Sequence, residues 1–231
     1  MTKLLAIDCT DNACSVALMN GDSVREEFTS EPRQHAQRVL PMIRHLLEAE
    51  SIEKADLNAV AVAKGPGSFT GLRIALGVSQ ALAYSLNIPI IAISSLHLLA
   101  ERHVELNASL DESDALFVGL DARMGEVYCA RFLMSDNGTL VRDTEDILLS
   151  QEDALAFAKV CQFGIGSALK LEGWSEIGFV DSAADASPHA ADLCRLARVT
   201  YERGEFELPL ELEPAYLRRE QAWKKLDQQR A

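Results

Sequence analysis

The order of hydrophobic and polar positions sets the elements from the first residues on. Residues 4–7 are an apolar run that stops at Asp8; after a polar turn at 9–12, residues 13–19 alternate as a second strand would. Asn20-Gly21-Asp22 is a hairpin signal, since such residues adopt the backbone angles that tight turns need, and a third strand is expected over 23–29. Past Pro32 the period lengthens. Ala36, Val39, Leu40, Ile43, Leu46 and Leu47 share one side of a helix, with Arg38, His45 and Glu48 elsewhere. Pro41 lies within this segment and withholds a backbone donor, which predicts a kink or a helix start near it.

The stretch that organises the chain comes next. An apolar run at 58–63 reads as a buried strand, Gly65-Pro66-Gly67-Ser68-Phe69-Thr70-Gly71-Leu72-Arg73 as a glycine-rich turn, and 74–87 as a helix. Such a turn aims backbone N–H groups and the positive end of a helix dipole at whatever lies above it, an anion or the backbone of another element. It lacks the Lys-Ser/Thr pair of a Walker loop, and Thr70 stands where the dinucleotide pattern requires glycine. A strand-to-helix connection capped by Ser68 or Thr70 is the first expectation, an anion site the second. On the helix, Arg73, Gln80, Tyr84 and Asn87 form a narrow polar face. Gly71, Ala75, Ser79 and Ala83 recur every fourth residue as a low ridge that admits close packing. So apolar a helix is buried on several sides, by its own core or by another chain.

A strand at 89–93 and a helix from Ser94 or Ser95 follow, and the polar stretch 107–114 is a plausible lobe boundary. Then the opening pattern returns: a strand at 116–121 ending in Asp121, a strand at 126–134, a hairpin turn at Asp136-Asn137-Gly138 and a strand from 139. The echo fades into a helix at 150–160 with Asp153 in a capping role, a short strand at 177–180 and a helix at 188–203. Two related α/β lobes, each with a mixed sheet flanked by helices and each led by a strand ending in Asp, predict the actin-like fold shared by sugar kinases and Hsp70. The expected division is 1–108, 109–213 and a tail, 214–231, packed on the first lobe. In that fold the two Asp residues flank a nucleotide, so Asp8, Ser68 and Asp121 are the candidate nucleotide contacts. The sequence Cys9-Thr10-Asp11-Asn12-Ala13 has no phosphate-turn glycine, which weighs against binding by this chain alone.

Composition narrows the function. With 48% hydrophobic and 25% charged residues the chain is globular, and its net charge of −13 opposes unaided binding to nucleic acid or an anionic membrane. No apolar run approaches the ~20 residues that span a bilayer, and no signal peptide is expected. The five cysteines form no C-x-x-C pair and read as reduced core residues of a cytoplasmic protein. There is no metal-binding His pair on one helix turn and no serine elbow: Gly77-Val78-Ser79-Gln80-Ala81 lies inside a helix. His35, between Arg33 and Arg38, has anion-contact chemistry, although a surface cluster at a helix start accounts for it equally.

Five blocks carry a family resemblance: Ala6-Ile7-Asp8-Cys9-Thr10, the run from Pro32 to Pro41, the glycine turn, Asp121-Ala122-Arg123-Met124-Gly125-Glu126-Val127-Tyr128 and Pro214-Ala215-Tyr216-Leu217-Arg218. Together they resemble the bacterial TsaB (YeaZ) family nearly end to end, least over 161–187. The resemblance implies an actin-like fold and a role in making threonylcarbamoyladenosine in tRNAs that read codons starting with A. It implies a subunit without catalysis of its own that supports the paralogous transferase TsaD together with the ATPase TsaE. The metal-binding His pair of TsaD corresponds here to Ser95 and Leu99, so no metal and no cofactor is expected, with ATP or ADP only at a junction with the partner. Pairing with TsaD, or with itself when alone, is implied through the two first-lobe helices, at His35, Val39, Met42, Ile43, Leu46, Leu72, Ala75, Leu76, Ser79 and Ala83. Contact with tRNA would be indirect, the basic residues Arg218, Arg219, Lys224 and Lys225 packing on the acidic body. Competing readings are a stand-alone ATP-binding enzyme of the actin/kinase type and, third, a peptidase acting on the partner.

Overall fold

Strand β1 (Lys3–Asp8) is buried from Leu4 onward because it lies at the centre of a sheet covered on both faces. In the computed structural model, which describes residues 1–31, 34–106, 111, 114–136 and 138–218, β1 pairs antiparallel with β2 (Cys14–Asn20). It pairs parallel with β4 (Ala59–Ala63). β3 (Ser23–Thr29) and β5 (Ile90–Ile93) complete the order β3-β2-β1-β4-β5. Helix α1 (His35–Ala49) precedes β4, and α2 (Phe69–Leu86) crosses from β4 to β5. Pro41 sits inside α1 without ending it; the residue is exposed, where water reaches the carbonyl it leaves unpaired.

The second sheet repeats this topology. β6 (Ala115–Arg123) pairs antiparallel with β7 (Glu126–Met134), which carries β8 (Leu140–Arg142) and β9 (Ile147–Ser150). β10 (Phe163–Ile165) and β11 (Asp181–Ala183) add in parallel on the other side of β6, after helix α4 (Gln151–Ala158). In place of a counterpart to α2 there are only two 3₁₀ turns, Ser167–Lys170 and Trp174–Glu176, and this is where the internal echo fades. The strand expected at 177–180 is not one. Those residues run out from the second 3₁₀ turn, and pairing with β10 begins at Asp181.

The lobes interlock. Helix α3 (Ser95–Leu106), which follows the first sheet, buries Leu96, Leu99 and Ala100 against the second. Helix α5 (Ala190–Glu202), which follows the second sheet, buries Leu193, Cys194 and Ala197 against the first, beside Leu98 of α3. A division at 109–213 therefore assigns α5 to the wrong sheet. Arg195 of α5 donates to the buried Asp192 (2.6 Å) and pairs with Glu105 of α3 (3.1 Å), tying the two helices together. At the free edge of β5, Ile90 and Glu207 exchange both backbone hydrogen bonds (3.1 and 2.9 Å). The segment then passes α2, where Gln80 donates to the carbonyls of Pro209 and Leu212. No helix among the described residues is long and apolar enough to cross a membrane.

Candidate partner-binding face and the closed glycine turn

The turn between β4 and α2 is filled by the chain itself. The N–H of Ser68 donates to the carbonyl of Thr10 (2.7 Å), and that of Leu72 begins the α2 ladder on Ser68. A β-carbon on Gly67 would stand 2.2 Å from the Thr10 oxygen, and Gly71 lies equally hard against Cys9. The glycines thus let the start of α2 settle on the β1–β2 turn, where the Ser68 N–H is spent on the Thr10 carbonyl and the Gly71 N–H on the Ser68 hydroxyl. Ser68 is the cap of α2, its Oγ accepting from Gly71 at 3.3 Å.

The candidate nucleotide contacts are each used locally. Asp8 is fully buried; its Oδ1 accepts from the hydroxyl (2.6 Å) and the N–H (3.2 Å) of Thr10, and its Oδ2 has no partner. Burial pushes its pKa up to about 7 against the opposing donation from Thr10. Asp121 is turned onto its own hairpin, accepting from the N–H and the guanidinium of Arg123, both at 2.8 Å. The structure brings Ser68 to the Asp8 turn but as a brace, through its backbone. A groove of about 560 Å³ opens instead among Phe28, Arg102, Ser187 and His189. Ser95 and Leu99 are both fully buried in α3, and among the described residues no three His, Cys, Asp or Glu side chains gather as a metal site.

The residues expected to meet a partner point the other way. Val39, Met42, Ile43 and Leu46 of α1, and Leu72, Ala75, Leu76, Ser79 and Ala83 of α2, are all buried within this one chain. The apolar ones among them pack with Ile7, Val16, Val60 and Val62 of the first sheet, and Ser79 lies on the same side of α2. The small-residue ridge that includes Gly71, Ala75, Ser79 and Ala83 lets α2 lie close to its own strands. Only His35 is partly exposed, and its Nε2 is 3.1 Å from the carbonyl of Asp11. A helix flat on a sheet needs small residues on its inner side wherever backbone approaches backbone, and that accounts for the ridge.

The outward side of α2 is a second stripe. Gly77 and Ala81 are exposed, with Ile74 and Val78 half-buried between them, and a β-carbon on Gly77 would meet nothing within 4 Å. Phe69 (58% exposed) and Arg73 flank one end, the guanidinium 3.4 Å from the ring centroid, and Tyr84 (64% exposed) flanks the other. On α1 the neighbouring outward residues include Leu40 and Pro41 among Arg44, His45 and Glu48. Ile74, Gly77, Val78 and Ala81 follow helical spacing of i, i+3, i+4 and i+7, a signal already present in the sequence but masked by the apolar character of the whole helix.

The fold has named counterparts. Residues 26–200 match the family model described as TsaD, tRNA N6-adenosine threonylcarbamoyltransferase. The chain is 33% identical to the tRNA threonylcarbamoyladenosine biosynthesis protein TsaB of Escherichia coli K12, the alignment covering 97% of this chain and 98% of that one. The chain belongs to the TsaB family. TsaB of Bacillus subtilis is 32% identical, over 84% of this chain and 86% of its own. Among solved structures, YeaZ from Pseudomonas aeruginosa superposes with a TM-score of 0.80 at 33% identity, covering 94% of this chain and 100% of that one. A second Pseudomonas aeruginosa structure, described as an uncharacterized protein with similarity to peptidase YEAZ, reaches 0.83 at 35% identity with the same coverage. A TsaB-family chain is thus an α/β protein of the actin-like kind with a role in threonylcarbamoyladenosine biosynthesis.

Proposed function

We propose that this chain is an accessory subunit without catalysis of its own in tRNA threonylcarbamoyladenosine synthesis, and that it docks on a TsaD-type paralogue through the outward side of α2 and the adjoining part of α1. The observation that carries the reading is the stripe of Ile74, Gly77, Val78 and Ala81, small and apolar, with Gly77 and Ala81 exposed and Ile74 and Val78 half-buried against the first-lobe core, in a chain of net charge −13. A helix packs closely on such a stripe, and apolar area buried there contributes about 25 cal/mol per Å² before the costs of association. The closed glycine turn and the sealed Asp8 support a role that does not require nucleotide on this chain alone. A nucleotide, if used, sits at the junction with the partner. A TsaE-type ATPase is the third component, the same face pairs two copies when the paralogue is absent, and the setting is cytoplasmic. Docking acts by favouring the active arrangement of the transferase.

Ala81→Glu tests this directly. A carboxylate in the middle of the stripe abolishes co-elution with the paralogue and the threonylcarbamoyladenosine content of tRNA, while the melting temperature of the isolated chain stays within a few degrees. A complex and a modification level unchanged by Ala81→Glu and by Gly77→Glu would remove the face from consideration.

A further inference from the structure

The block Asp121-Ala122-Arg123-Met124-Gly125-Glu126 has no part in the docking stripe. It forms the tip of the β6–β7 hairpin, where Arg123 (φ 65°) and Met124 (φ 59°) hold left-handed backbone that L residues seldom adopt. The pairing of the two strands slips between Asp121 and Arg123, so Ala122 has no partner across the ladder. Its carbonyl is taken up from outside the sheet: Nη2 of Arg218 donates to it at 3.0 Å. Arg218 also pairs with the carboxylate of Glu126, and its Nη1 lies 3.9 Å from the sulfur of Met124.

The other end of the same short segment is fixed to the first lobe. The N–H of Ala215 donates to the carbonyl of Lys64 (2.8 Å), beside the glycine turn. The ring of Tyr216 stands 6.3 Å from that of Phe69, and the guanidinium of Arg73, seated over Phe69, is 5.8 Å from the Tyr216 centroid. Residues 214–218 therefore run from the start of α2 to the tip of a hairpin in the other lobe, with both ends anchored and no helix or strand between.

We infer that Arg218 is a positioning residue: by fastening this segment to the β6–β7 tip it sets Tyr216 against Phe69 and Arg73, and so completes the N-terminal end of the docking face on α2. The partner then meets a surface drawn from both lobes, and the slipped register at Ala122 has a purpose, presenting a carbonyl to a planar, forked donor. The inference rests on the reading of α2 as the docking face.

The test uses the full chain with Arg218→Ala, Arg218→Lys, Tyr216→Ala and Ala81→Glu. Without partner, amide hydrogen exchange in Arg218→Ala rises at least tenfold at Ala215, whose N–H donates to the carbonyl of Lys64, and Arg218→Lys restores part of the protection, since an ammonium reaches one acceptor at a time. With the paralogue, calorimetry gives Arg218→Ala an affinity at least tenfold weaker. Tyr216→Ala matches that loss while exchange at Ala215 stays as in the parent. Unchanged exchange at Ala215 in Arg218→Ala overturns the inference, as does raised exchange with undiminished affinity. If Ala81→Glu binds normally, the docking reading fails separately, and the exchange data still decide whether Arg218 holds the segment.

Discussion

Gly71 lies against the carbonyl of Cys9 so closely that a β-carbon on it would stand 1.8 Å from the oxygen. Sixty-odd residues apart in the chain, these two set how near α2 comes to β1, and with it the whole α1–α2 layer. Gly71→Ala should cost on the order of 3 kcal/mol or more, because neither backbone can give way without moving a helix or a central strand. Gly77→Ala is the contrasting case. Its β-carbon meets nothing, so the change should stabilise the isolated chain by up to about 1 kcal/mol, the helix-propensity difference. Thermal or urea unfolding of the pair checks both signs.

Asp8 makes stability depend on pH. Burial raises its pKa from 3.8 to about 7, so between those values the folded chain holds a proton that the unfolded chain has released. Stability from this group is therefore full below about pH 4, falls as the pH rises toward 7, and is lost above it. Asp8→Asn keeps an acceptor for Thr10 and carries no charge; it should flatten this fall and be more stable than the parent at pH 8. Urea midpoints at pH 5 and pH 8 measure it. An equal drop in both proteins would show that Asp8 is not responsible.

Glu26 fastens α5 to the first sheet. Its carboxylate accepts from Ser15 Oγ (2.6 Å), the N–H of Ala191 (3.1 Å) and His189 Nδ1 (2.8 Å), while Ser15 accepts from the N–H of Ala190 (2.9 Å). Glu26→Ala strands these donors at the start of α5 and should lower unfolding free energy by about 2–4 kcal/mol. The effect should appear as increased exchange over α5 while α4 is unaffected, since α4 packs on the other sheet.

All five cysteines are buried, and burial pushes the Cys161 thiol up to about 11 and that of Cys129 to about 12. The hydrogen bond with Cys9 pulls the Cys14 thiol down instead, but it too is buried, and little access means slow chemistry for all five. The native chain should react with a thiol reagent at pH 8 only as fast as it opens, and all five groups should react at once in 6 M guanidinium. Rapid labelling of even one thiol without denaturant would contradict the packing described.

The first lobe was legible because its strands alternate or run apolar between clear turn signals, and because the Ser68 cap and the hairpin at Asn20-Gly21-Asp22 are chemical as well as statistical. In the second, the strand from 139 and the helices at 150–160 and 188–203 were legible beyond β7, as β8, α4 and α5, but β9, β10 and β11 were not. Three-residue strands such as β10 carry too little pattern to read, and the counterpart of α2 has shrunk to 3₁₀ turns. The placement of α5 on the first sheet is a long-range pairing that no local spacing announces. The side of α2 that faces the sheet was illegible for a different reason. Helical spacing identified a close-packing stripe on α2, but two such stripes exist, and Ala75 and Ala81 differ only in which side the sheet takes. The boundary at 107–114 falls largely outside the described residues, as do Arg33, Asn137, Arg219, Trp223, Lys224 and Lys225.

Glu207 occupies both backbone groups of Ile90, and Pro209, two residues on, has no amide hydrogen to offer. At the opposite border β3 carries Arg25, Glu26 and Glu27. One flank thus hinders the addition of a stray extended peptide by an occupied edge residue and a proline, the other by charge along its strand.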